Sequence, residues 1–229
     1  MPRNSLNRLV LFDIDGTLLR IDGKVNHHIL GEAISGCGVD ATPLYGQSFA
    51  GKTDRNILLS VPGVSEEHVE LINRSYCELM EQKLQSSDIQ VLPGVEEVLI
   101  YLRHSGVATG LITGNLMKAA FTKLRKAGLG SYFSTGAFGD RHQNRNFLPA
   151  MARKAASEQY GCDFSPEQTV IIGDTPNDIT CGRYDGCYVI AVATGVYTGQ
   201  QLAECQPDLL LDNLKEPQQW LDGFFRSIS

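Results

Sequence analysis

The feature that most constrains this chain is the run Leu9-Val10-Leu11-Phe12-Asp13-Ile14-Asp15-Gly16-Thr17 near its N-terminus. Four consecutive apolar residues predict a strand buried on both faces, as in a parallel sheet covered by helices. Two carboxylates on alternate residues follow at once, and then a glycine that lets the chain turn away. Ligands of open α/β sheets bind just outside the carboxyl ends of strands, so chemistry is expected here. In extended backbone Asp13 and Asp15 would share a face. Two neighbouring carboxylates are tolerable only beside a cation, a proton or several donors. The alternative reading is a pair of solvated loop acids closing a strand.

Beyond this run the pattern changes. From about residue 22 to 87 the signals are helical, with short helices expected over 27–34 and 54–60. Ser65 starts a longer helix, with Val69, Ile72, Tyr76, Leu79, Met80 and Leu84 at helical spacing. Tyr76, Cys77 and Met80 are read as packing residues, and His27 and His28 as surface residues.

From Leu92 onward strands and helices alternate. Buried strands are expected over 107–113, 169–173 and 188–193, a weak one over 134–138 and an edge strand over 208–211. Helices are expected over 95–105, 116–127, 148–160 and 216–225. This alternation predicts an α/β fold, a doubly wound parallel sheet with right-handed crossovers. A smaller α-helical domain is inserted after its first strand. The expected division is a core of 1–20 and 92–229 with an insert of 21–91, hinged at 20–24 and 89–94.

With 42% hydrophobic residues, 20% charged residues and a net charge of -6, the chain lacks the basic surface that nucleic acid or an anionic membrane requires. No apolar stretch reaches the length of a membrane span, and the N-terminus lacks a signal-peptide core. The six cysteines form no C-x-x-C and no Cys/His cluster, which predicts reduced thiols in a cytoplasmic protein and no zinc.

Two further strand ends carry polar residues. Thr113-Gly114-Asn115 opens a helix, either as a phosphate seat or as a simple cap. Gly173-Asp174-Thr175-Pro176-Asn177-Asp178 sets two acids four residues apart at a second helix start, again as ligands or as capping acids. Four acids at the ends of parallel strands describe an oxygen-rich site for a hard cation such as Mg²⁺.

Taken together, Asp13-Ile14-Asp15-Gly16-Thr17, Thr113-Gly114-Asn115 and the 173–178 segment resemble the first, second and fourth motifs of the haloacid dehalogenase superfamily. Motif order and the helical insert are similar to its helical-cap branch, which includes phosphoglycolate phosphatases and β-phosphoglucomutases.

The resemblance implies that Asp13 is a nucleophile forming an aspartyl-phosphate and Asp15 a general acid and base. Mg²⁺ would be held by Asp13, Asp174, Asp178 and the Asp15 carbonyl. Thr113 and the backbone N–H groups of 15–17 and 114–115, Gly16, Thr17, Gly114 and Asn115 among them, would hold phosphate oxygens. A basic residue ahead of the helix before the fourth motif is assigned to Arg145, with Arg141 and Lys154 as competitors. The family's dehalogenases lack an acid at the Asp15 position and lack the metal site, so phosphoryl transfer is the implied chemistry.

The segment Gly51-Lys52-Thr53-Asp54 resembles the branch's specificity loop. There Lys52 and Arg55 either meet an anionic substrate or are solvated charges. Asp54 stands where the mutases carry an arginine. The implied partner is a small phosphorylated metabolite, for a monomer or a homodimer. A phosphotransferase or mutase and a non-catalytic phosphometabolite-binding module are the alternatives.

Overall fold

The computed structural model describes residues 8–140 and 142–228. In chain order it runs β1 (Leu9–Phe12), β2 (Leu19–Ile21), α1 (Gly23–Ser35), α2 (Asp54–Leu59), α3 (Glu66–Lys83), β3 (Ile89–Val91), α4 (Val95–His104), β4 (Ala108–Ile112) and α5 (Met117–Lys126). It continues with β5 (Gly136–Ala137), α6 (Leu148–Tyr160), β6 (Thr169–Gly173), α7 (Pro176–Asp185), β7 (Tyr188–Val192), α8 (Gly199–Glu204), β8 (Leu209–Leu211) and α9 (Pro217–Ser227).

Six strands form one parallel sheet in the order β5-β4-β1-β6-β7-β8. All four residues of β1 are fully buried, because the strand is central and covered on both faces. The register sets Phe12 level with Leu111 of β4 and Ile172 of β6. The polar residues following these three strands therefore emerge side by side, where the strand order reverses around β1. The expected α/β class and parallel sheet are observed.

The segments expected as hinges pair with each other. Leu19↔Val91 and Ile21↔Ile89 make β2 and β3 a short antiparallel ribbon, from strands too short for a periodic signal. Between them α1 and α3 bury Ile29, Leu30 and Ile34 with Ile72, Tyr76 and Met80. Tyr76 donates to Asn26 at 2.8 Å, so its hydroxyl is satisfied inside the apolar cluster.

His27 is more than a surface residue. Its ring stacks on Phe49 at 4.0 Å, and its nitrogens lie 2.7 Å from Gly23 O and 3.1 Å from Gln47 O. It ties α1 to the segment leading into α2. Helix α8 and the β2–β3 ribbon are elements the sequence pattern did not announce. No helix among the described residues is long and apolar enough to cross a membrane.

Candidate active site

Asp13, Asp174 and Asp178 converge beyond the carboxyl ends of β1 and β6, with ligand oxygens all within 4.8 Å of one another. Each arrives for a local reason. Asp13 continues β1, and its N–H donates to Ile172 O at 2.9 Å. Asp174 follows β6, and Thr17 Oγ1 donates to its Oδ1 at 3.0 Å. Asp178 belongs to the capping box of α7, where its Oδ2 accepts from Thr175 N (3.0 Å) and Thr175 Oγ1 (2.7 Å). The capping alternative is thus realised at Asp178 by one oxygen, while the other faces the cluster.

Arg145 closes the group. It lies in the 3₁₀ turn Arg145–Phe147 ahead of α6, and its Nη2 donates to Asp13 Oδ1 at 2.8 Å and to Asp178 Oδ1. Of the residues expected to compete for this position, Lys154 is exposed on α6 and Arg141 lies outside the described residues.

Three buried acids face one guanidinium among the described residues. Burial pushes the Asp13 carboxyl up to about 7; Arg145 opposes the shift, while Asp178 and Asp15 add to it. Burial also raises Asp174, reinforced by Asp13 and Asp178. Burial works against the Arg145 charge, but Asp178 and Asp13 outweigh it and hold the guanidinium well above its ordinary value. Excess negative charge on an all-oxygen donor set fits a hard divalent cation. Arg145→Ala would leave two buried carboxylates without their ion-pair partner. A stability loss of about 3–5 kcal/mol is expected, read as a lower thermal midpoint in chelator.

Asp15 goes elsewhere. Its carboxylate is not part of the metal-capable group. Instead it accepts from Asn115 Nδ2 at 2.7 Å and from Lys123 Nζ at 2.9 and 2.7 Å. The chain turns at once after Ile14, whose carbonyl accepts from Leu18 N at 2.9 Å, and Gly16 takes φ +90°. Asp15 stays close enough to Asp13 to add to the upward shift of that carboxyl. A Cβ at Gly16 would overlap the Asp174 carboxylate, so the turn needs both the positive φ and the missing side chain.

Thr113 Oγ1 accepts from Asn115 N (3.2 Å) and Asn115 Nδ2 (2.8 Å). The N–H groups expected to cradle phosphate are partly engaged already: Gly16 N donates to Leu19 O at 2.8 Å and Thr17 N to Ile14 O at 3.3 Å. The start of α5 is likewise taken by carboxylates. Leu116 N donates to Asp54 Oδ2, and Met117 N to Asp140 Oδ2, both at 2.9 Å. Two acids thus meet the positive end of the helix dipole one and two residues beyond Asn115.

Asp54 comes from the insert. Its own N–H donates to Gly114 O at 2.7 Å, and burial raises its carboxyl to about 6, with Lys123 and the Leu116 N–H opposing. Next to it, Thr53 Oγ1 donates to Gln143 O at 3.2 Å and Asn177 Nδ2 to Gly51 O at 2.9 Å. The 51–54 segment is thus seated on the loop after β4, the segment ahead of α6 and the first turn of α7. Lys52 is exposed, and Arg55 pairs with Glu66 on α3.

Sequence reasoning missed Lys123, and its signal was faint. The residue is in helical phase with Leu116, Ala119 and Ala120, on the buried face of α5.

An α/β sheet with an acidic cluster at its central strand ends, crossed by an inserted helical segment, defines an open α/β fold with its site where such folds bind ligands. The model for haloacid dehalogenase-like hydrolases matches residues 10–192, and the chain belongs to that family. It is 29% identical over 222 residues to the protein named "Probable phosphatase IndB" of Dickeya dadantii, covering 91% of this chain and 90% of that one. It is 28% identical over 225 residues to phosphoglycolate phosphatase 1 of Pseudomonas aeruginosa, covering 92% and 78% of the two chains. Among solved structures, CbbY from Rhodobacter sphaeroides in complex with phosphate superimposes with a TM-score of 0.65 at 21% identity, over 92% of this chain and 96% of that one.

Proposed function

We propose that this protein is a Mg²⁺-dependent phosphatase that hydrolyses a small phosphorylated metabolite through an aspartyl-phosphate on Asp13. Phosphoglycolate is the first substrate to test. The observation that carries this reading is the group of Asp13, Asp174 and Asp178 within 4.8 Å, with Arg145 bridging Asp13 and Asp178. The phosphatase names borne by two relatives similar over most of their length support it.

Phosphate monoesters are dianions, so their charge must be offset before a carboxylate can attack. Bound by Asp13, Asp174, Asp178 and the Asp15 carbonyl, Mg²⁺ would supply positive charge at the phosphoryl oxygens. The remaining tasks fall to the chain. Asp13 attacks phosphorus, and its new O–P bond forms as the ester O–P bond breaks. Asp15 gives its proton to the leaving oxygen. It then takes a proton from the water whose oxygen bonds to phosphorus as the Asp13–phosphorus bond breaks. Arg145 keeps Asp13 oriented and offsets charge shared between carboxylate and phosphoryl group. Both acceptor sites of the Thr113 hydroxyl are engaged by Asn115, so its proton is the part left to meet a phosphate oxygen.

Residues 21–91 would act as the cap. The contacts of 51–54 with the loop after β4 and the first turn of α7 correspond to a closed state that limits water and substrate size. Gly114 is the tightest point, since a Cβ there would overlap the Lys52 carbonyl. Gly114→Ala is therefore expected to lower kcat/KM about 100-fold by holding the 51–54 segment off the site, with an unfolding transition still cooperative. Steady-state kinetics beside thermal denaturation checks this.

The reading is tested by phosphate release from a panel of phosphorylated metabolites, phosphoglycolate included, with Mg²⁺ and with EDTA. Metal-dependent release from one compound far above the rest is expected. No release from any compound would overturn it, and isomerised product from a sugar phosphate would replace it with a mutase.

A further inference from the structure

We infer that Lys123 is a positioning residue for Asp15, fixing the carboxylate that exchanges protons with leaving group and water; the inference rests on the phosphatase reading above. Lys123 lies on the buried face of α5 with 1% of its side chain exposed. Its ammonium donates to both Asp15 oxygens, at 2.9 and 2.7 Å, and to Asn115 Oδ1. Those three acceptors match its three protons.

Asn115 turns its other end to the same place, donating from Nδ2 to Asp15 Oδ2 at 2.7 Å and to Thr113 Oγ1 at 2.8 Å. The Asp15 carboxylate is thus held by Asn115 ahead of α5 and by Lys123 in its last turn, and tied through Asn115 to Thr113. It retains 40% side-chain exposure, so part of it stays open to a reacting group.

Helix packing does not require this ammonium. A methionine of similar length would fill the same space, whereas a buried ammonium is costly unless it is paired. What the ammonium adds is a fixed place for Asp15. The residue carrying that carboxylate is followed immediately by the turn at Gly16, and the carboxylate would otherwise be free to swing towards solvent.

The test separates positioning from packing by the leaving group. An alkyl leaving oxygen needs a proton as its bond to phosphorus breaks, whereas p-nitrophenolate leaves without one. The value of kcat/KM reports only the half-reaction up to that departure.

Lys123→Met is expected to lower kcat/KM about 100-fold for the best alkyl phosphate of the panel. For p-nitrophenyl phosphate the change should stay within about threefold. Asp15→Asn should show the same selectivity, and the double variant should lose little beyond Asp15→Asn alone. Lys123→Gln is read in the same way if Lys123→Met does not fold. Equal losses on both substrates would reduce Lys123 to packing and overturn the inference, and so would no loss on either. If the wild-type protein releases phosphate from neither substrate, the phosphatase reading itself fails and the inference falls with it.

Discussion

Asp13→Asn is expected to lower kcat by at least about 10⁴-fold while leaving the fold intact. Losing a nucleophile costs on the order of 10⁴ to 10⁶ in enzymes whose catalytic groups act as a unit. The amide cannot form the acyl phosphate and carries no charge for a cation. Stability should move the other way. Asp13 is a buried carboxylate whose ionisation is opposed by burial and by Asp178 and Asp15, so at pH 8 an uncharged side chain removes a repulsive charge. Arg145 keeps its second partner, Asp178.

The thermal midpoint in chelator should therefore be unchanged or higher than that of the wild type, even as activity disappears. Asp15→Asn makes the contrast. It should slow turnover but let the enzyme gain the mass of one phosphoryl group during turnover, because Asp13 can still attack while water is no longer activated. Mass spectrometry of acid-quenched protein reads this directly. Activity near wild type in Asp13→Asn would exclude the covalent route.

These expectations trace back to residues the sequence displays openly. Asp13 could be seen because it follows four apolar residues without a break, and Asp174 because it follows another such strand. The alternation of strands and helices carried the sheet, and Pro176 marked the start of α7. Arg145 could be placed by family resemblance, although its partners could not: Asp13 is 132 residues away, and only the parallel register of β1, β4 and β6 brings them together.

Side-chain direction was less legible. Strand geometry sets Asp15 on the side of Asp13, but nothing in the spacing points to Lys123, 108 residues on, as the partner of its carboxylate. A lysine in phase with alanines on a helix looks like an ordinary surface charge unless the burial of that face is known. The same limit hid the role of Asp54, whose partner is a backbone N–H of a distant helix start. Backbone partners leave no trace in residue type.

Removing the metal is expected to have the second large effect, on activity and on stability together. With EDTA, phosphate release should fall at least about 1,000-fold, since Lewis-acid stabilisation of the phosphoryl oxygens is worth several kcal/mol. The metal-free protein should also show a characteristic pH dependence. Asp13 binds its proton up to about pH 7 in the folded protein, against an ordinary value of 3.8. A group with a raised folded pKa holds more protons folded than unfolded between those values, so stability falls as pH rises through that window. Asp174, also raised, adds in the same direction.

In EDTA the thermal midpoint should therefore drop between pH 5 and pH 8. Mg²⁺ at pH 8 should restore it, because a cation that binds only the folded state at about 100 times its Kd adds about 2.7 kcal/mol. For a chain of this size that is roughly 5–10 °C. The same Mg²⁺ at pH 5 should do less, since it must displace protons from the carboxylates it binds. Asp174→Asn should abolish the Mg²⁺ shift and reduce the pH slope together, as one cluster produces both. A midpoint insensitive to Mg²⁺ at pH 8, with activity unaffected by EDTA, would mean that Arg145 alone balances the three acids and that phosphoryl charge is met without a cation.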